Sequence, residues 1–591
     1  MTGRIYFLEK PVIALLALFA AQASYAANSI EVGDVEIDAP TLCCLGFSVP
    51  IIAGDDNDDA VATIDYRPMG AGAWAQGLMV LRVRPEFTSG EVPPSFYGLP
   101  FPAEQFAGSL FGLEANTSYE IRISVSDADG GDRVQLVTAT TRELPVSAPA
   151  VPRNVAVTTT AELNTAISTA QPGDVIALAP GTYSGPITIS ADGSPTNPII
   201  VRGDTAVDVT IDATGATYGV TIWGSHVYLE RVTVTGSTWG ARSFDTTGVV
   251  IRESRFIGVD RGIYAKSGSN FNFYICDNTL EGNHTWPDIS SNTWNSEGIT
   301  VSGQGHTVCH NTLSGFGDAL SLANSTDIMN IAIDFYGNDV LWTGDDGLEL
   351  DFAHRNVRAF GNRITNASMG ASLQPVWGGP VYIFRNLFLN LGNSPYKLNN
   401  DPSGFFIFHN TSARSWNPGS NYGGNAWPQL GYTQADGDPA YAANFQLKNN
   451  ILIGASDPAR VTTELFQADI DYNGWLPDGT FRFFDTWVNL AALQGNSPYE
   501  ANGRILNSET FEVPLILPPD YTTFWSNNNV ALGQASVARD TGVVLPNIND
   551  GFSGTAPDLG AIEYGDAMPD YGVRQQLDTM RPAPPTNLTV E

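Results

Sequence analysis

The sequence predicts an all-β protein whose bulk is a single-stranded right-handed parallel β-helix, preceded by a small β-sandwich. Three observations carry the prediction. Asparagines recur at near-constant spacing after short β-rich strings, a helix-turn-strand unit stands ahead of them, and 59 glycines with only 15% charged residues suit a chain of many short strands and turns. A length of 591 residues admits two to four domains.

Residues 1–26 read as a secretory signal peptide. Arg4 and Lys10 form a basic start, residues 11–21 are apolar, and Ser24-Tyr25-Ala26 offers a small-residue cleavage site. That apolar run is shorter than a bilayer requires. No membrane insertion is expected, and the mature chain is expected to be a secreted monomer, extracellular or periplasmic. The formal net charge of −33 argues against nucleic acid as a partner. Such a charge also suits simple acidic solvation.

Residues 27–148 alternate short strands with turn signals. The run from Glu114 through Tyr119 to Ser126 resembles the late strands of a fibronectin type III domain, where a Tyr after a turn pins the sandwich corner. Residues 146–153, rich in Pro and Ala, link it to the next domain.

The β-helix is expected over 149–565, with 566–591 a linker or tail. It opens on an amphipathic helix capped by Thr160, with Leu163, Ala166, Ile167 and Ala170 on one face and Pro172-Gly173-Asp174 as the stop. Such a helix covers the unpaired edge of the first coil. The repeat follows: Asn278, Asn311, Asn338, Asn362, Asn386 and Asn410 are separated by 33, 27, 24, 24 and 24 residues. An Asn at the same place in each coil reads as a stacked amide ladder at a bend, a structural feature. Cys276 and Cys309 each stand two places before a ladder Asn. They should stack in adjacent coils about 4.8 Å apart, as buried free thiols or a strained bridge. Cys43 and Cys44 complete the cysteines, and no spacing among the four fits a zinc site.

A second row aligns through the same coils: Glu297–Ser302, Asp318–Ala323, Asp346–Asp351, Met369–Gln374 and Ser394–Asn399. Its third and fifth positions are small or apolar and face inward. The fourth (Thr300, Ser321, Glu349, Ser372, Lys397) and sixth (Ser302, Ala323, Asp351, Gln374, Asn399) face outward, and the first stacks Glu297, Asp318 and Asp346. Carboxylates therefore gather on one outer face. Acids in neighbouring coils match the ~5 Å separation of a retaining glycosidase, and those two coils apart approach the roughly 6.5–9.5 Å of an inverting one. Asp also accepts backbone hydrogen bonds at turns, but Asp345, Asp346, Glu349 and Asp351 crowd closely enough to repel without a ligand or ion. The candidate catalytic residues are Asp318, Asp346, Glu349, Asp351 and Lys397. Glu297, His306, His354, Arg355, Gln374 and Trp377 are candidates for substrate binding.

The strings Gly303-Gln-Gly-His-Thr-Val-Cys-His-Asn311 and Gln374-Pro-Val-Trp-Gly-Gly-Pro-Val-Tyr382 resemble a group of secreted bacterial right-handed β-helix proteins of the pectin-lyase-like type, which tend to carry a fibronectin-like front domain. The resemblance runs from about residue 40 to residue 415. It implies the fold and carries no settled substrate. Asp345-Asp346 resembles the Asp pair of polygalacturonase-type hydrolases, whose other strings are absent, as is the Gly-Glu-Gly signature of alginate and chondroitin β-helix lyases.

Three functions follow. The leading expectation is an extracellular polysaccharide hydrolase with two of these carboxylates as acid and base, needing no cofactor. The second is a lyase in which Ca²⁺ on Glu349 and Asp351 acidifies a uronate C5 proton that Lys397 or Arg355 removes. The third is a carbohydrate-binding or surface-adhesion solenoid.

Overall fold

The computed structural model describes residues 28–88, 93–266, 268–323, 328–415, 429–430, 441–461, 464–483, 485–526 and 529–574. The expected signal peptide and the end of the tail lie outside the described residues.

Residues 31–140 form two antiparallel sheets, one of five strands around Leu45–Ala53 and Gln105–Leu110, the other of four around Val61–Pro68 and Ser118–Ser126. Alternation in Ser118–Ser126 turns Tyr119, Ile121, Ile123 and Val125 inward, where they meet Phe47 and Phe106 of the facing sheet. The Tyr119 hydroxyl accepts from the Glu114 N–H at 2.9 Å, which ties down the turn before that strand.

From Arg153 onward the strands pair in parallel, except that Phe481–Phe483 and Asp485–Trp487 pair antiparallel. One sheet stacks 13 strands, from Arg153–Val157 to Glu464–Asp471, and a 21-stranded sheet completes the coils. The result is a parallel β-solenoid of about 12 turns around a single column of Val, Ile, Leu and Phe side chains. The helix Thr160–Ser168 lays Leu163, Ala166 and Ile167 over its open end. Its cap is Thr159, one residue before the expected Thr160, because Thr159 forms a capping box with Glu162.

The amide ladder is present and longer than the sequence spacing reveals. Each Asn donates from Nδ2 to the Oδ1 of the next, at 2.9–3.0 Å, from Asn278 to Asn410 and on through Asn450 to Asn473. Glu500 accepts the last amide at 2.8 Å. The residue before each Asn lies in the left-handed region, among them Asp277, His310, Gly337, Gly361, Arg385 and His409. That conformation turns the chain at the corner and sends the amide inward. It also accounts for His310 and His409 as corner residues.

Cys276 and Cys309 pair in register and are disulfide-bonded, with Cα atoms 4.6 Å apart. The same position in the next coils holds Tyr336, Phe360 and Phe384, whose rings stack with centroids 5.2 and 5.0 Å apart. This outward aromatic column is covered by the sandwich, through Leu42, Cys43, Cys44, Leu78, Leu81 and Phe111. Polar contacts fix the docking. Asp38 accepts from Arg355 at 2.7 Å and from Asn356 at 2.6 Å, and Ser109 donates to Asn356 at 2.9 Å. Arg574 folds back along the solenoid to pair with Asp277. No helix among the described residues is long and apolar enough to cross a membrane.

Candidate active site

The second row aligns in the structure as read from the sequence. Glu297 pairs with Asp318, Asp346 with Met369 and Met369 with Ser394, while Thr300, Ser321, Glu349, Ser372 and Lys397 form one column. Inward Leu320, Leu348, Leu350 and Leu373 anchor these strands in the core, which holds the alternating residues on the outer side.

The outer face is less open than alternation alone suggests. Asp318, Asp346 and Asp351 are buried, and Asp345 and Glu349 are half-buried. The Lys397 ammonium donates to Asp346 Oδ2 at 2.7 Å and is the one cation that an ion pair places among these acids, among the described residues. Asp318 Oδ1 accepts the backbone N–H of Asp346 at 3.1 Å. Carboxylate oxygens of Asp318, Asp345 and Asp346 lie within 4.8 Å of one another, the spacing of a shared cation. Asp346 Oδ1 is buried with no hydrogen-bond partner among the described residues, which suits a ligand atom.

Burial, followed by the charge of neighbouring acids, raises the Asp318 and Glu349 carboxyls well above the usual range. Burial pushes Asp345 up to about 7, with the Asp346 charge adding to it. It brings Asp351 to about 7 despite the opposing pull of Lys397. Burial alone would lower the Lys397 ammonium, but Asp346, Asp345 and Asp351 outweigh it and raise the group well above its ordinary value.

The other candidates divide. Glu297 is half-buried at the N-terminal edge of the column, accepting from Thr300 Oγ1 at 2.8 Å. Gln374 borders the other side, its backbone N–H on Asp351 Oδ1 at 2.6 Å and its side-chain oxygen accepting from Asn399. Asp351 also accepts from Ser372 Oγ at 2.6 Å. The remaining four are buried or already engaged by other parts of the chain. His306 is fully buried, Nδ1 accepting from the Phe273 N–H and Nε2 facing the Ser302 carbonyl; burial takes its pKa down to about 3. His354 is buried, accepting at Nδ1 from the Asn330 N–H, and burial lowers it likewise to about 3. Trp377 is 2% exposed and packs edge-on against His354, so it offers no sugar platform. Arg355 is committed to Asp38 of the sandwich. His306 directly precedes the strand Thr307–Cys309, His354 and Arg355 lie in Ala353–Arg355, and Trp377 opens Trp377–Phe384, all outside the carboxylate row. Asp345 is the gain. Alternation does not reach it because it precedes the strand Asp346–Glu349, and its only sequence signal is the Asp-Asp doublet.

No protein-family model and no curated protein matches the chain. Among solved structures it is similar to pectate lyase Pel9A, at 18% identity and a TM-score of 0.41, over 70% of this chain and 98% of that one. It is also similar to a PL6 family polysaccharide lyase from Pseudopedobacter saltans, at 13% and 0.39, over 60% and 91% of the two chains. A family 28 exopolygalacturonase from Yersinia enterocolitica matches at 12% and 0.27, over 74% and 96%. Likenesses this low carry no argument about activity, which rests on the site.

Proposed function

We propose that the chain is a secreted polysaccharide lyase acting on a uronate-containing glycan, with a divalent cation such as Ca²⁺ held by Asp318, Asp345 and Asp346. The observation that carries this reading is Lys397: a lysine set 2.7 Å from one member of a three-carboxylate cluster. This reading puts the cation on that cluster rather than on the Glu349 and Asp351 pair expected from sequence, because Asp351 Oδ1 already accepts from Ser372 and Gln374.

A bound cation supplies an offset to carboxylate charge, both that of the site and that of the uronate. The rest is done by the chain. Lys397 is an ammonium while Asp346, Asp345 and Asp351 act on it, and becomes a base once the charge of those carboxylates is offset. It then takes the proton from the uronate C5. A C4–C5 double bond forms, the C4–O glycosidic bond breaks, and the leaving oxygen takes up a proton. Glu349, whose carboxyl burial and neighbouring acids push up, stands in the same outward column as Lys397 and is the group that supplies it.

The raised carboxyls favour a second reading, in which Asp318 or Glu349 is the general acid of a hydrolase. One experiment separates the two. The protein is incubated with polygalacturonate and with alginate, with Ca²⁺ or with EDTA, and both ultraviolet absorbance of unsaturated uronate and new reducing ends are followed. The lyase reading expects both signals with Ca²⁺, neither with EDTA, and a loss of at least about a thousandfold, ~4 kcal/mol of barrier, in Lys397→Ala. Reducing ends without absorbance establish the hydrolase, and binding without either signal establishes a binding solenoid.

A further inference from the structure

The carboxylate column continues toward the N-terminal end of the solenoid, and its chemistry changes. The register runs from Asp318 and Glu297 to Arg261, Trp239 and Tyr218, while the neighbouring column runs from Ser321 and Thr300 to Tyr264, Arg242 and Thr221. Five strand spacings of about 4.8 Å separate the Asp346 coil from the Tyr218 coil, roughly 24 Å in all. Acids thus give way to aromatic rings and guanidinium groups on the same outer surface.

These side chains form one contiguous layer. Tyr218 and Trp239 have centroids 5.2 Å apart, Arg242 lies 3.4 Å over the Tyr218 ring, and Arg261 lies 4.7 Å over Trp239. Trp223, two residues beyond Thr221, is 46% exposed at the edge of the layer. In a chain of net charge −33, Arg242 makes no ion pair among the described residues. Its one hydrogen bond there runs from Nε to Thr221 Oγ1 at 3.2 Å, out of the five N–H groups a guanidinium carries. Arg261 reaches Glu297 only at 3.8 Å. A structural stack alone explains the ring contacts but not an arginine kept without an acid where acids are abundant.

We propose that this layer binds the distal part of the same glycan chain that enters the carboxylate site. The exposed ring of Trp223 stacks on a sugar ring, and Arg242 and Arg261, seated over Tyr218 and Trp239, take uronate carboxylates through their forked N–H groups. The proposal rests on the reading of the chain as a uronate-acting protein and adds where, and by which residues, a long chain is held. A short oligosaccharide fills the carboxylate site alone; a long one also covers the layer and gains affinity from it.

The test uses full-length Lys397→Ala protein, so that nothing is consumed, with Ca²⁺ present. Calorimetry compares octagalacturonate with digalacturonate, before and after adding Trp223→Ala or Arg242→Gln. Both side chains lie on the outer surface, and an unchanged melting temperature verifies the fold. The expected result is an octasaccharide affinity about tenfold weaker in each variant, with the disaccharide changed less than about threefold. Octasaccharide affinity that is undiminished, or that falls in step with the disaccharide, overturns the layer while leaving the lyase reading standing. Loss of octasaccharide affinity in Arg242→Gln, in a protein whose unsubstituted form makes no unsaturated product, keeps the layer and overturns the lyase.

Discussion

Asp351 and Asp345 show how position sets the behaviour of single groups. Each carboxyl is brought to about 7 by burial against an ordinary value near 4. A carboxyl whose pKa is higher in the folded chain takes up a proton on folding. Its stabilising contribution is full below the unfolded value and is lost as pH rises through the folded one. With EDTA present, the melting temperature should therefore fall as pH rises from about 4 through about 7, and Asp351→Asn should flatten part of that slope. A variant whose profile matches the parent's would remove the electrostatic account of this residue. The same reasoning shows what the sequence made legible. Strand alternation placed Asp318, Asp346, Glu349 and Lys397 in their columns, because period-two geometry is local. It did not foresee that the outer face is largely closed to solvent, nor that His306 and His354 are buried, because those facts depend on contacts between distant coils.

At the scale of the element, the corner before each ladder Asn decides how a coil closes. Gly337 and Gly361 occupy equivalent left-handed positions, at φ 65° and 59°. A Cβ on Gly361 would meet nothing within 4 Å, whereas one on Gly337 would come within 2.5 Å of the His310 ring. Gly361→Ala should cost only the left-handed strain, about 1 kcal/mol. Gly337→Ala should cost that and a clash besides, together about 3 kcal/mol. Urea denaturation of the two variants checks the order, and equal losses would show that the corner adapts as a whole. The ladder itself was legible as far as Asn410 because the coils there keep a 24-residue spacing. Asn450 and Asn473 escaped notice because the interval after Asn410 widens to 40 residues. The aromatic and arginine columns of the earlier coils were missed for a similar reason: no ladder Asn marks the coils around Tyr218 and Trp239.

For the whole molecule, the sandwich and solenoid are one packed body rather than beads on a linker. The sandwich covers the stacked rings of Tyr336, Phe360, Phe384, Tyr382 and Phe406 on the 13-stranded sheet, and the candidate site lies on the other sheet. Removing residues 27–148 should therefore leave the carboxylates in place but bare a continuous apolar strip, and the truncated chain should self-associate. Light scattering of the 149–591 fragment against the parent checks this, and a monodisperse, monomeric fragment would show that the strip needs no cover. The amide ladder has a separate consequence, for how such a chain can change over generations. Between Asn386 and Asn410 a coil takes 24 residues and between Asn410 and Asn450 it takes 40, yet the amides bond at 3.0 Å in both. The ladder acts as a ruler that counts coils and ignores how much chain each contains. Segments leaving the far corners are free to lengthen, shorten or be exchanged, while the acids and Lys397 keep the spacing their chemistry requires.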